Sequence, residues 1–303
     1  MTQGDGYTRQ VRLLVRILPL VMAEERFALK GGTGINLFIR DLPRLSVDID
    51  LVYLPVEARD TTLTGIDAAM TQAAARITAG LKNVRVALGR DKVGRVTKLI
   101  VSHEGATVKV EINVVFRGVV FPPEMRPVSA SVEDRFGFAE VRMVSFADLY
   151  AGKIVAALDR QHPRDLFDVR DMLAVEGVSD DLRRAFLVYM ISHDRPLNEV
   201  LNPSRQPLEE RFEREFVGMT QEPVSLETLA AAREMLIDIM VANMPEDHRR
   251  FLIGFKSGVP DWSVIGLDHV PKLPGVLWKQ QNLDKLSRER RTALIQALEA
   301  VWS

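Results

Sequence analysis

The chain has 303 residues, 47% hydrophobic and 27% charged, with a formal net charge of −1. That balance is ordinary for a globular protein with a sizeable core in one large or two moderate domains. The absence of cysteine excludes disulfides, thiolate metal sites and a cysteine nucleophile. With no long apolar run and no signal-peptide core, the expectation is a cytoplasmic protein with no membrane partner.

Residues 8–29 read as an amphipathic helix, with Val11, Leu14, Val15, Leu18 and Val21/Met22 at helical spacing and Pro19 predicting a kink or break. The glycine loop Lys30-Gly31-Gly32-Thr33-Gly34 follows, then a short helix from Ile35 to Arg40 and a strand over 47–54 that ends at Pro55. An alanine-rich helix over 65–82 precedes three strand-like runs at 84–88, 95–102 and 107–116. This order predicts an α/β (α+β) unit with a mixed sheet. After the Pro122-Pro123 turn the character changes, and from Ser145 onward nearly everything reads as helix. The boundary falls within 120–145, giving domains of 1–140 and 141–303, with further candidate linkers at 203–207 and 254–275. No internal repeat or low-complexity tract is present.

The chemistry concentrates around Arg44-Leu45-Ser46-Val47-Asp48-Ile49-Asp50-Leu51. On a strand, Asp48 and Asp50 share one face while Val47, Ile49 and Leu51 take the other. Two adjacent carboxylates repel unless a cation sits between them, and hard oxygen ligands suit Mg²⁺ or Mn²⁺ with substrate phosphates. Gly31, Gly32 and Gly34 allow backbone N–H groups to approach a phosphate, and Thr33 adds a hydroxyl. In the run 107–114, Lys109, Glu111 and Asn113 share a polar face. Glu111 there is either a third metal carboxylate or the partner of a cross-strand lysine or arginine.

Farther on, Lys153 and Arg160 share a face of one helix, and Arg164, Asp165 and Asp168 lie on the next, which Pro163 opens. By themselves these read as an ordinary helix pair with a surface salt bridge from Arg164 to Asp168. Eight basic residues (Arg76, Lys82, Arg85, Arg90, Lys92, Arg95, Lys98, Lys109) oppose only Asp91 and Glu104. That stretch is a polyanion-facing surface or a solvated face, as is the C-terminal cluster of Lys279, Lys285, Arg288, Arg290 and Arg291. No P-loop or complete dinucleotide fingerprint occurs, the histidines show no metal spacing, and Trp262, Trp278 and Trp302 read as anchors of C-terminal helices.

A glycine loop, a short helix and a strand bearing Asp-x-Asp resemble the active-site signature of the polymerase-beta-like nucleotidyltransferases. More narrowly, Lys-Gly-Gly-Thr followed by Arg-x-Ser-x-Asp-Ile-Asp-Leu, with Lys153 and Arg164-Asp165-x-x-Asp168, is similar to the AbiEii/AbiGii toxin family. The resemblance implies a nucleotidyltransferase-like catalytic domain followed by a helical domain that contributes Lys153 and Asp168. Asp48, Asp50 and Glu111 would hold metal; Gly31, Gly32, Thr33, Lys153 and Arg164 would bind the nucleotide. Either Glu111 or Asp168 would assist the acceptor hydroxyl. It further implies transfer of a nucleoside monophosphate from an NTP to RNA, at the 3′ end of tRNA, with a cognate antitoxin as partner. Two alternatives are a phosphotransferase acting on a protein hydroxyl and a catalytically silent nucleotide-binding module.

Overall fold

The computed structural model describes residues 3–303, with side chains from residue 6 onward. It divides into two compact units between Ser145 and Phe146. No described helix is long and apolar enough to cross a membrane.

The first unit begins with α1 (Gln3–Met22), which runs through Pro19 without interruption. The predicted apolar positions Val11, Leu14, Val15, Leu18 and Val21 are each at most 3% exposed. Burial of this kind stabilises by roughly 1.5–3 kcal/mol per large aliphatic side chain. The helix read over 8–29 is too long: residues Phe27–Lys30 form β1. Phe27, Ala28 and Leu29 are all fully buried, so this strand is covered on both faces and carries no alternation to distinguish it from helix.

The chain then passes through a helical turn α2 (Gly31–Gly34), continued as a π-helix over Ile35–Ile39, into β2 (Asp48–Tyr53). Next come α3 (Arg59–Gly80), β3 (Arg85–Arg90), β4 (Val96–His103) and β5 (Ala106–Asn113). β6 (Glu124–Pro127), α4 (Ala130–Phe136) and β7 (Glu140–Met143) complete the unit. Among the described residues seven strands form one sheet, ordered β3-β4-β5-β2-β1-β7-β6. The pairs β2/β5 and β1/β7 are parallel and the rest antiparallel, so the sheet is mixed as the element order predicts. Helices α1 and α3 pack against each other and against the sheet. On the sheet, Ile49, Leu51, Leu99, Val101, Val108 and Val110 are fully buried. Asp48 and Asp50 on β2, Lys98, Ile100 and Ser102 on β4, and Lys109 and Glu111 on β5 alternate with these and stay accessible.

The second unit is helical throughout. It comprises α5 (Phe146–Arg160), α6 (Pro163–Val175), α7 (Asp180–Ser192), α8 (Leu197–Leu201), α9 (Glu209–Glu215) and α10 (Leu226–Ile237). After α10 come α11 (Glu246–Ser257), α12 (Pro274–Asp284) and α13 (Arg288–Glu299). Its core packs α5 against α6 and α7, with Tyr150, Ile154, Leu158, Leu166 and Phe186 at most 1% exposed. The linker read over 254–275 starts later, because α11 continues to Ser257 and stops at left-handed Gly258. Trp262 packs on Phe251 and Phe255, and Trp302 donates to the Val241 carbonyl, whereas Trp278 is 44% exposed.

Candidate active site

The glycine loop is fixed by what touches it. Gly31 has φ +78°, and an added Cβ would collide with the Asp50 carboxylate. Only glycine combines that left-handed backbone with so close a neighbour. At Gly32 a Cβ would stand 2.8 Å from Arg44 Nη2 and 2.9 Å from Ser46 Oγ. Asn36, fully buried, donates from its side-chain amide to the Gly32 carbonyl at 2.8 Å. The Thr33 hydroxyl donates to the Asp48 carbonyl at 2.6 Å and lies 3.3 Å from Ser46 Oγ. Loop and β2 are therefore one construction: two glycines receive Asp50 and Arg44, and Thr33 holds the start of the strand. Arg44, 4% exposed, is missed by sequence reasoning, although its place in Arg-x-Ser-x-Asp was the available signal.

Strand register assembles the charges. Asp48 lies beside Lys109 and Asp50 beside Glu111, in the parallel β2/β5 pair. Across β4/β5 Lys98 opposes Glu111, and across β1/β2 Lys30 opposes Asp50. Residues paired in this way point to the same face, with strands about 4.8 Å apart. Lys109 Nζ stands 2.9 Å from Glu111 Oε2 and 3.8 Å from Asp48 Oδ2, and Lys98 Nζ stands 3.0 Å from Glu111 Oε1. The Glu111 hydrogen bond, then the fields of Asp48, Glu111 and Asp50, raise the Lys109 pKa against the opposing effect of burial. Burial alone would raise the Glu111 carboxyl; Lys109 and Lys98 outweigh it and hold it below the usual range. The cross-strand pairing read as one alternative for Glu111 is thus present.

Asp48 and Asp50 offer oxygen donors on one accessible face, a set that fits a hard divalent cation such as Mg²⁺ or Mn²⁺. Both Glu111 oxygens are already engaged by lysines. Among the described residues no three His, Cys, Asp or Glu side chains are grouped to hold a metal ion.

The second unit carries a different cluster. Lys153 is 9% exposed, with Nζ 2.8 Å from Asp165 Oδ1 and 3.1 Å from Asp168 Oδ2. Arg160 donates to Asp165 Oδ2 at 2.8 Å. Burial would raise the Asp165 carboxyl, but Lys153 and then Arg160 outweigh it and hold it far below the ordinary carboxylate range. The α5–α6 corner sets this geometry. Gln161 has φ +48°, is 1% exposed, donates to Ser204 O and accepts from Gln206 N and Arg233. His162 caps α6 by accepting from Arg164 N, with Pro163 in the first turn as predicted. A surface bridge from Arg164 to Asp168 does not form: Arg164 lies 3.7 Å from Glu215, and Asp168 is 2% exposed.

Within the basic stretch 76–109, strand register sets Arg85, Lys98 and Lys109 on the accessible face of β3, β4 and β5. Arg76 lies on α3 and donates to Leu20 O, Arg95 pairs with Asp91, and Lys98 and Lys109 belong to the carboxylate cluster.

The sequence matches the family described as "Nucleotidyl transferase AbiEii toxin, Type IV TA system" over residues 12–277. The chain belongs to that family, the nucleotidyltransferase toxins of type IV toxin–antitoxin systems. Among solved structures it is similar to MenT4, a nucleotidyltransferase toxin from Mycobacterium tuberculosis, with a TM-score of 0.60 and 17% identity. That similarity covers 98% of this chain and 92% of MenT4, and at this identity it speaks for the fold. No curated protein matches the sequence.

Proposed function

We propose that the Asp48–Asp50 face transfers a nucleoside monophosphate from an NTP to a hydroxyl of RNA, the 3′ end of tRNA being the acceptor the family resemblance implies. The observation that carries this reading is the seating of Asp50 on Gly31, beside Asp48 and within the field of Lys109. Asp48 and Asp50 would hold the divalent cation, which when bound neutralises triphosphate oxygens. Backbone N–H groups of Gly32 and Thr33 would bind phosphate, with Arg44 fixing the loop from behind Gly32. Lys109 and Lys98 are tethered by Glu111 on the same face, where they can meet the negative charge that grows on leaving pyrophosphate. Glu111 in this reading positions lysines. Lys153 and Asp168 keep the catalytic roles the resemblance implies as matters for mutation; Lys153 pairs with both Asp165 and Asp168. A cognate antitoxin would restrain the enzyme.

The test is incubation with total RNA and each α-labelled NTP in Mg²⁺. Label appearing in a tRNA-sized band, with pyrophosphate released, is the expected result. Label passing to protein from γ-labelled NTP selects a phosphotransferase instead, and no metal-dependent turnover selects a silent binding module.

A further inference from the structure

Strand register arranges the open face of the sheet in rows. Asp50, Glu111, Lys98 and Gly89 stand side by side on β2, β5, β4 and β3, and Asp48, Lys109, Ile100 and Ala87 form the next row. A third row holds Thr107, Ser102 and Arg85 on β5, β4 and β3. Paired residues share a face, so all of these positions lie on the side that carries Asp48 and Asp50. Arg85, Ala87 and Thr107 are exposed and the others half-buried.

Charge changes sign across these rows. β2 contributes two aspartates, β5 pairs Lys109 with Glu111, and β4 and β3 contribute Lys98 and Arg85 with no acidic residue on this face. Lys98 is drawn toward Glu111 at 3.0 Å, which leaves Arg85 as the outermost cation of the face. Among the described residues the Arg85 side chain makes no ion pair or hydrogen bond. Beside it the Ser102 and Thr107 hydroxyls stand 3.0 Å apart. Gly89 keeps the outer strand low, since a Cβ there would meet Lys98 Cβ at 2.9 Å. With Ala87 and Ile100 it makes a shallow floor without charge on the two outer strands.

The proposed reaction needs this polarity. The aspartate end takes the cation and the triphosphate, and a polynucleotide acceptor brings its terminal hydroxyl to the same place. The acceptor's own phosphates repel those carboxylates and the triphosphate, and the cations attract them. The favourable course for the rest of the strand is therefore outward over β4 to β3. From β2 to β3 is three strand spacings, about 14 Å at roughly 4.8 Å each.

We propose that the outer half of this face, Arg85 with Ser102, Thr107, Ile100 and Ala87, is where the RNA acceptor lies, its 3′ end directed to Asp48 and Asp50; this rests on the reading of that face as the transfer site. Arg85 takes a backbone phosphate through paired N–H donors, and the Ser102 and Thr107 hydroxyls take neighbouring phosphate or ribose oxygens. Ile100 and Ala87 lie beneath a sugar or base.

The test is binding of a labelled single-stranded RNA oligonucleotide to the full chain, by fluorescence anisotropy across a chloride series without NTP or Mg²⁺. Wild-type affinity should fall steeply with salt, because each neutralised phosphate releases counterions. Arg85→Glu should weaken binding about tenfold at low salt and lower the salt slope by about one. Ala87→Glu, which adds a negative charge to the floor without removing a cation, should weaken binding as well, and it carries the test if Arg85→Glu does not fold. Both variants should keep the wild-type affinity for ATP in Mg²⁺. Asp48→Asn should keep the full RNA affinity, so failure of the proposed reaction and failure of this surface are read separately. Arg288→Glu, the same charge change at an exposed position of α13, should leave RNA binding in place. No RNA affinity in wild type at low salt, wild-type binding by both Arg85→Glu and Ala87→Glu, or equal weakening by Arg288→Glu overturns the surface. Displacement of the oligonucleotide by polyglutamate at equal charge overturns the RNA assignment and gives the face to an acidic protein.

Discussion

In the sheet-face cluster Lys109 stands 2.9 Å from Glu111 and 3.8 Å from Asp48, with those side chains 34%, 39% and 51% exposed. In the helical cluster Lys153 stands 2.8 Å from Asp165 and 3.1 Å from Asp168, with side chains 9%, 5% and 1% exposed. The residue types match, and water separates the two behaviours. Pairs in solvent contribute about 0–1 kcal/mol and exchange partners easily, which suits a surface that must receive a charged ligand. A buried pair has given up its hydration, so removing one partner strands the other at roughly 3–5 kcal/mol. On the proposed reading the exposed cluster exchanges with substrate, while the buried one joins α5 to α6.

The contrast breaks most visibly at Lys153. Lys153→Ala should destabilise by about 3–5 kcal/mol, because Asp165 and Asp168 are left buried together. Denaturant melts read the loss, and a cycle with Asp165→Asn should show strong coupling. A cost below about 1 kcal/mol would mean that the cluster is already open to water. This departs from the expectation of a lysine reaching for nucleotide phosphates, whose removal would spare the fold.

Acid should sharpen the same contrast. The Asp165 pKa is depressed in the folded state, so its contribution is complete above the ordinary aspartate range. As pH falls below about 4 that contribution is progressively lost, because the unfolded chain takes up the proton first. Stability measured from pH 6 downward should show this fall in wild type and much less of it in Asp165→Asn. Equal acid sensitivity in both would place the titrating group elsewhere.

Smaller effects belong to the first unit. Gly31→Ala combines positive φ with a collision against Asp50, and should cost about 1–3 kcal/mol. Nucleotide transfer should fall further than stability, because Asp50 itself is displaced. Glu111→Gln, on an exposed pair network, should change stability by less than about 1 kcal/mol. Its signature should be a lower Lys109 pKa, read by NMR of the labelled ammonium; an unmoved Lys109 would deny Glu111 its tethering role.

Much of this was legible because it depends on period. Alternation in β2 and β5 put Asp48 and Asp50 on one face and Glu111 on the polar face of its own strand. Register was not legible: that Asp50 meets Glu111 while Asp48 meets Lys109 follows from a parallel pairing between strands some sixty residues apart. β1 was absorbed into the preceding helix because both its faces are buried. Lys153 was placed on the correct helix, but its burial is decided by α6 packing against α5, which no spacing records. Arg44 carried a motif position without revealing that Gly32 would receive its guanidinium.

The central claim is that Asp48 and Asp50 are kept for a ligand and not for the fold. Its most direct measurement is transfer of label from α-labelled NTP to RNA by Asp50→Asn, on protein whose melting temperature is recorded in parallel. The expected result is transfer abolished, with a melting temperature equal to or above wild type in the absence of Mg²⁺, since removing one of two like charges relieves repulsion. Transfer retained at the wild-type rate would contradict the account and move the reaction away from this face.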